Sequence, residues 1–115
     1  MAGPEITITK AENGWVVRAL GAIIGETSDA LMLKEGDYPA VVYIPRSDIT
    51  MAFLDVSETV TNCPHKGDAT YFHFVGKNRT LTDFAWSYET PSANVAQISG
   101  YLAFTPGEAT VESVS

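Results

Sequence analysis

Residues 70–78 read Thr-Tyr-Phe-His-Phe-Val-Gly-Lys-Asn, "TYFHFVGKN". Successive side chains of a strand point to opposite faces, so Phe72 and Phe74 fall on one side and Tyr71 and His73 on the other. The Phe side is expected in the core, leaving Tyr71 and His73 to face solvent or a concave surface. Gly76-Lys77-Asn78 then makes a turn. Beyond it, residues 80–82 and 84–88 continue a meander in which Phe84, Trp86 and Tyr88 alternate onto one face. Six of the twelve aromatic residues lie between Tyr71 and Tyr88. Such a concentration makes either an aromatic core layer or a platform for a ligand, with Trp86 and Tyr88 at its rim.

The rest of the chain has the same texture. Ile6 and Ile8 alternate with Thr7 and Thr9 as in a half-buried strand. Asn13-Gly14 is the strongest two-residue hairpin signal, because both positions tolerate positive φ, and it pairs that strand with residues 15–20. Gly21 breaks the run and residues 22–25 form another short strand. Residues 31–34 and 40–44 are strands around the loop 35–39. Pro45 ends the second of these, since it has no N–H for a ladder. Ser47 or Asp48 caps a short helical turn over residues 49–51, and residues 51–56 read equally well as a strand. Residues 59–62 lead into Cys63-Pro64. After the loop 91–94 and one helical turn come a strand at 101–104, a Pro106-Gly107 turn and a last edge strand at 109–112. This spacing predicts a mainly β domain, a compact antiparallel barrel or sandwich with at most one or two short helical turns. One domain is expected over residues 1–115. Only the first few residues and the tail 112–115 read as candidates for disorder.

Composition narrows the function classes. The net charge is −7, from 14 acidic and 7 basic side chains, and the basic residues are scattered along the chain. A nucleic-acid surface gathers Lys and Arg on one face, so no nucleic-acid partner is expected. No run approaches the ~18 apolar residues of a membrane span, and the start of the chain lacks the basic and apolar parts of a signal peptide. A single cysteine fits a reducing compartment, so a cytoplasmic location is the expectation.

The loop before the central strand, "NCPHKGD" at residues 62–68, holds the chemistry worth weighing. Cys63, His65 and His73 are one ligand short of a structural zinc site, so neither a metal nor any other cofactor is expected. Cys63 is a candidate thiol nucleophile, since a neighbouring His65, Lys66 or His73 lowers a thiol pKa. The competing reading is a half-buried Cys acting as a small hydrophobe. Lys66-Gly67 lacks the glycine-rich run of a phosphate loop, yet Gly67 lets backbone N–H groups approach a ligand and Lys66 offers a mobile cation.

Three segments in order, "YIPRSDI" (residues 43–49), "CPHKGDATYF" (residues 63–72) and "AWSYETP" (residues 85–91), resemble the Domain of Unknown Function 427 family. Arg46, Asp48, Cys63, Pro64, Lys66, Gly67, Trp86, Ser87 and Tyr88 occupy its motif positions, and His65 stands where an aromatic such as Tyr is usual. The resemblance implies a small β-rich, stand-alone bacterial-type protein with no established activity. A nucleotidyltransferase-like label has been attached to that family. This chain lacks the Gly-Ser and paired carboxylates that would hold Mg²⁺ for phosphoryl transfer.

The reading that follows is a pocket for a small anionic molecule, lined by Tyr43, Arg46, Cys63, Lys66, Gly67, Tyr71, Trp86 and Tyr88, with Asp48 fixing the Arg46 guanidinium. Two alternatives stand beside it: a thiol-dependent enzyme using Cys63, and a structural module that forms a homodimer through an edge strand.

Overall fold

The computed structural model describes residues 5–114. Ten strands make three antiparallel sheets: β1 (Ile6–Lys10), β4 (Leu31–Glu35) and β5 (Val41–Tyr43) in the order β1-β4-β5; β2 (Gly14–Ala19), β3 (Ala22–Thr27) and β10 (Thr110–Val114) in the order β10-β2-β3; and β6 (Leu54–Cys63), β7 (Gly67–Val75), β8 (Thr80–Ser87) and β9 (Leu102–Phe104) in sequence order. Among the described residues no sheet closes into a barrel, and the fold is sandwich-like. The described residues contain three short 3₁₀ segments, Arg46–Asp48, Met51–Phe53 and Ala93–Ile98, one more than the sequence suggested.

The inner part of the four-stranded sheet is covered on both faces. Phe72 and Phe74 of β7 join Leu81, Phe84, Ala85 and Phe104 in one apolar cluster with Val17, Ala19 and Ile24 from β2 and β3. On the other face Ala69, Tyr88 and Ala103, with Tyr71 and Trp86 against them, pack on Leu33 and Tyr43 and on Val95 and Ile98 of the last 3₁₀ segment. Burial on both sides explains why residues 71–75 carry so little polar character: a strand covered on both faces has no solvent side.

Two expectations about pairing change. The strand at Ile6–Lys10 pairs with β4, not with β2. Its inward residues Ile6 and Ile8 belong to the second cluster, whereas Val17 and Ala19 of β2 belong to the first, so the chain must cross between layers at Asn13-Gly14. Gly14 serves a close approach: a Cβ there would lie 3.3 Å from both the Thr27 carbonyl oxygen and Val114 Cγ2. The two-residue hairpin turn is instead Leu20-Gly21, where both residues have positive φ, 48° and 82°. Phe84 also leaves the face of Trp86. A bulge opposite His73, with Asp83 at φ 50°, turns Phe84 to the side of Phe74 and Phe104, with ring centroids at 5.2 and 5.6 Å. At the C-terminus, Glu112, Ser113 and Val114 are ordered by pairing with Val16, Trp15 and Gly14. The expected disorder at residues 1–4 and 115 lies outside the described residues.

Candidate functional site

A cavity of about 510 Å³ opens on the second face of the four-stranded sheet. Its floor is Tyr71 of β7 with Trp86 and Tyr88. Tyr71 and Trp86 are directly opposed across the ladder, with ring centroids 6.3 Å apart. Leu33 and Glu35 of β4 and Val41 and Tyr43 of β5 make the facing wall; Tyr38 and Pro39 stand in the loop between those strands, and Thr105 follows β9. Lys66 enters from the loop joining β6 to β7.

That loop explains the Cys-Pro-His-Lys-Gly motif. Pro64 presets φ for the second position of a tight turn, and the Lys66 N–H donates to the Cys63 carbonyl oxygen at 3.2 Å. Gly67 then returns the chain at φ 112°, in the region that favours glycine. The Lys66 carbonyl oxygen accepts from Ser92 N–H at 2.9 Å, which ties the loop to the segment after β8. The turn thus aims the Lys66 side chain at the cavity.

There Lys66 Nζ donates to Glu35 Oε1 at 2.6 Å, and both side chains are largely buried, 12% and 16% exposed. The ammonium also lies 6.0 Å from the centroid of the Tyr88 ring. Burial by itself disfavours the Lys66 charge, but the Glu35 hydrogen bond and nearby negative charge outweigh it, and the Lys66 pKa is raised. Burial raises the phenol pKa of both Tyr43 and Tyr88. Near neutral pH the cavity therefore presents one ammonium and two uncharged phenols beside the Glu35 carboxyl group. Trp86 Nε1–H points to the Tyr43 hydroxyl at 3.4 Å. Tyr71 shares a 3.1 Å hydrogen bond with Thr61.

The eight residues expected to line one site separate into groups. Tyr43, Lys66, Tyr71, Trp86 and Tyr88 do meet in this cavity. Cys63 packs half-buried against the same apolar cluster, opposite Gly67 in the ladder, without lining the cavity. Among the hydrogen bonds of the described residues none involves its thiol, and the Nδ1 of His73 is taken up in accepting from the Asp83 N–H at 3.0 Å.

Arg46 stands on the other face of the sheet. Its guanidinium lies 5.4 Å over the Phe72 ring, donates to Gly100 O at 3.1 Å and Ser87 Oγ at 3.2 Å, and pairs with Glu89. Thr70 and Ser87 are opposed, as are Phe72 and Ala85, so Phe72 and Ser87 share a face that Tyr71 and Trp86 do not. Asp48 does not hold the guanidinium; it accepts from Thr27 Oγ1 at 2.7 Å. Arg46 has the contacts of a fastener between the 3₁₀ turn Arg46–Asp48, the end of β8 and the chain at Gly100.

Glu35, expected in the loop 35–39, instead ends β4 and stands on the cavity wall. The signal was present: Leu31, Leu33 and Glu35 are in phase along one strand, so a carboxylate follows two inward leucines. Among the described residues no group of three or more His, Cys, Asp or Glu is placed to hold a metal ion, and no helix is long and apolar enough to cross a membrane.

No curated protein matches the chain. The family described as a domain of unknown function, DUF427, matches residues 7–115. That span takes in the Pro45-Arg46 turn, the Cys63–Gly67 loop and the Trp86-Ser87-Tyr88 strand end, and the chain belongs to the DUF427 family.

Proposed function

We propose that the protein binds a small organic acid with a flat apolar body in the cavity between β4-β5 and β7-β8. The observation that carries this reading is the position of Lys66, a nearly buried ammonium on the wall of an aromatic hollow. A volume of about 510 Å³ falls in the ordinary range for small-molecule sites, and such sites combine apolar walls with few polar groups. The ring of the ligand lies against Trp86 and Tyr71, and its acid takes the Lys66 N–H donors that Glu35 leaves free. Glu35 also sets a limit: its charge beside the site favours a monoanion such as a carboxylate over a phosphate dianion.

The test is a titration of Trp86 fluorescence in a Trp15→Phe background with benzoate and with phenyl phosphate. Benzoate is expected to give a saturable change that Lys66→Met abolishes, and Glu35→Gln should narrow the preference for benzoate over phenyl phosphate. Because the Lys66 pKa is raised, binding should hold constant through neutral pH and decline only above about pH 10.5. No saturable change at millimolar benzoate, or an unaltered one in Lys66→Met, contradicts the reading.

The other two readings draw less support. A thiol-dependent reaction needs a base within hydrogen-bond reach of Cys63, and His73 Nδ1 is engaged elsewhere. A homodimer through β6 would use the exposed Val56 and Val60, but the bulge between them and the acidic Asp55 and Glu58 blunt that edge.

A further inference from the structure

A second cavity, of about 430 Å³, lies next to the first and has a different character. Ala40, Val42, Phe104, Pro106, Ala109 and Val111 supply most of its walls, and no charged side chain lines it. The two cavities share Val41 and Trp86. They also divide neighbouring residues between them: Pro39 lines the first and Ala40 the second, Thr105 the first and Phe104 the second. The same segments therefore build both, and Val41 and Trp86 form the partition.

The topology shows why a gap exists there. β5 and β9 are joined by the antiparallel bridge Ile44↔Leu102. Continued antiparallel pairing would bring Val42 opposite Phe104, but among the described residues no bridge joins them; β9 stays with β8 instead, where Thr105 N–H donates to Phe84 O at 2.8 Å and extends the Phe104↔Ala85 register by one residue. The Pro106↔Ala109 bridge closes the turn that follows and carries the chain into β10. The sheet splits beyond Leu102, and both cavities sit in the split.

From this we infer that the ligand is amphipathic: an acid whose head is held at Lys66 and whose aliphatic tail passes Val41 and Trp86 into the second cavity. The inference rests on the reading of the Lys66 cavity as an acid site and extends it to a second class of acid, medium-chain carboxylates, which reach beyond the space a compact aromatic acid fills. Charge divides the two ends. Lys66 and Glu35 stand only on the head side, and the tail side has mostly apolar walls with no charged side chain. A compact acid would leave that second surface wet, whereas a chain removes it from water together with its own methylenes.

The experiment is a two-dimensional NMR titration of the intact chain with butyrate, hexanoate, octanoate and decanoate, each below its micelle concentration. Once the chain passes the partition, affinity should rise about threefold to fourfold per added methylene. Decanoate should shift the amides of Gly107 and Thr110, which butyrate leaves in place. In Thr110→Phe, which places a ring at the tail cavity, the ratio of decanoate to butyrate affinity should collapse toward one. The inference is overturned, with the acid site intact, if all four acids bind with equal affinity. It is overturned equally if decanoate gains affinity without moving Gly107 or Thr110, or if its advantage survives in Thr110→Phe. Failure of every acid, together with benzoate, to bind removes both this inference and the acid site beneath it.

Discussion

Lys66 and Arg46 look alike in the sequence, each a cation in a motif segment, and the structure gives them opposite surroundings. Lys66 follows a Pro-initiated turn and is sent inward to Glu35 by a glycine with positive φ. Arg46 follows a strand-ending proline and spends its donors on Gly100, Ser87 and Glu89. The local turn chemistry was readable from Pro64 and Gly67. The destination of each side chain was not, because strand periodicity assigns faces within a strand and is silent about a residue in a connecting turn. Gly67 tests the turn at this scale. Its φ of 112° is costly for any residue with a Cβ, so Gly67→Ala should lower stability by about 1–3 kcal/mol in urea denaturation. It should also weaken benzoate binding by displacing Lys66. Unchanged stability would mean that the loop adopts another geometry.

Among the elements, β7 is the best determined by sequence and the most constrained by its neighbours. Its alternation placed Phe72 and Phe74 together correctly, because both faces are buried and a one-residue slip would exchange them. The flanking strands broke that regularity through bulges. On β6 the ladder shifts between Val56 and Val60, and on β8 it shifts opposite His73. Asp83 joins the two irregularities across β7. Its carboxylate accepts from Ser57 Oγ at 2.6 Å and Thr59 Oγ1 at 2.9 Å, and its carbonyl oxygen accepts from Thr105 Oγ1 at 2.7 Å. No pattern in "LTDFAWS" announces this, since a bulge is fixed by partners distant in sequence, and simple alternation therefore puts Phe84 on the face opposite to the one it occupies. The hydrogen bonds from Ser57 and Thr59, with the electrostatic attraction of the nearby His73, lower the Asp83 pKa despite partial burial. A depressed carboxylate contributes stability that is present above its unfolded pKa and lost as pH falls through the folded one. Stability should therefore fall below about pH 4, and Asp83→Asn should flatten that acid limb while costing about 1 kcal/mol at neutral pH. Denaturation midpoints measured from pH 3 to pH 7 check this, and an acid limb unchanged in Asp83→Asn would contradict it.

At the scale of the molecule, the four-stranded sheet divides the interior into two clusters, and the candidate site belongs to only one of them. The mainly β class, the single sheet-rich domain and most strand positions followed from alternation and turn residues. The order of strands did not, because Asn13-Gly14 advertises a hairpin while the apolar faces of β1 and β2 belong to different layers. The same division separates structural from binding roles. Arg46→Ala should cost about 1–2 kcal/mol, since it removes the hydrogen bonds to Gly100, Ser87 and the exposed Glu89 together with the stacking on Phe72, and should leave benzoate affinity within about twofold. Parallel denaturation and titration of that variant decide the point; a large loss of affinity without loss of stability would return Arg46 to the binding site. The most direct test of the whole account is a crystal structure of the protein grown with benzoate. The account predicts a benzoate ring against Trp86 and Tyr71 with its carboxylate on Lys66 Nζ, and no ligand density beside Arg46. Density at Arg46 with an empty Lys66 cavity would contradict it.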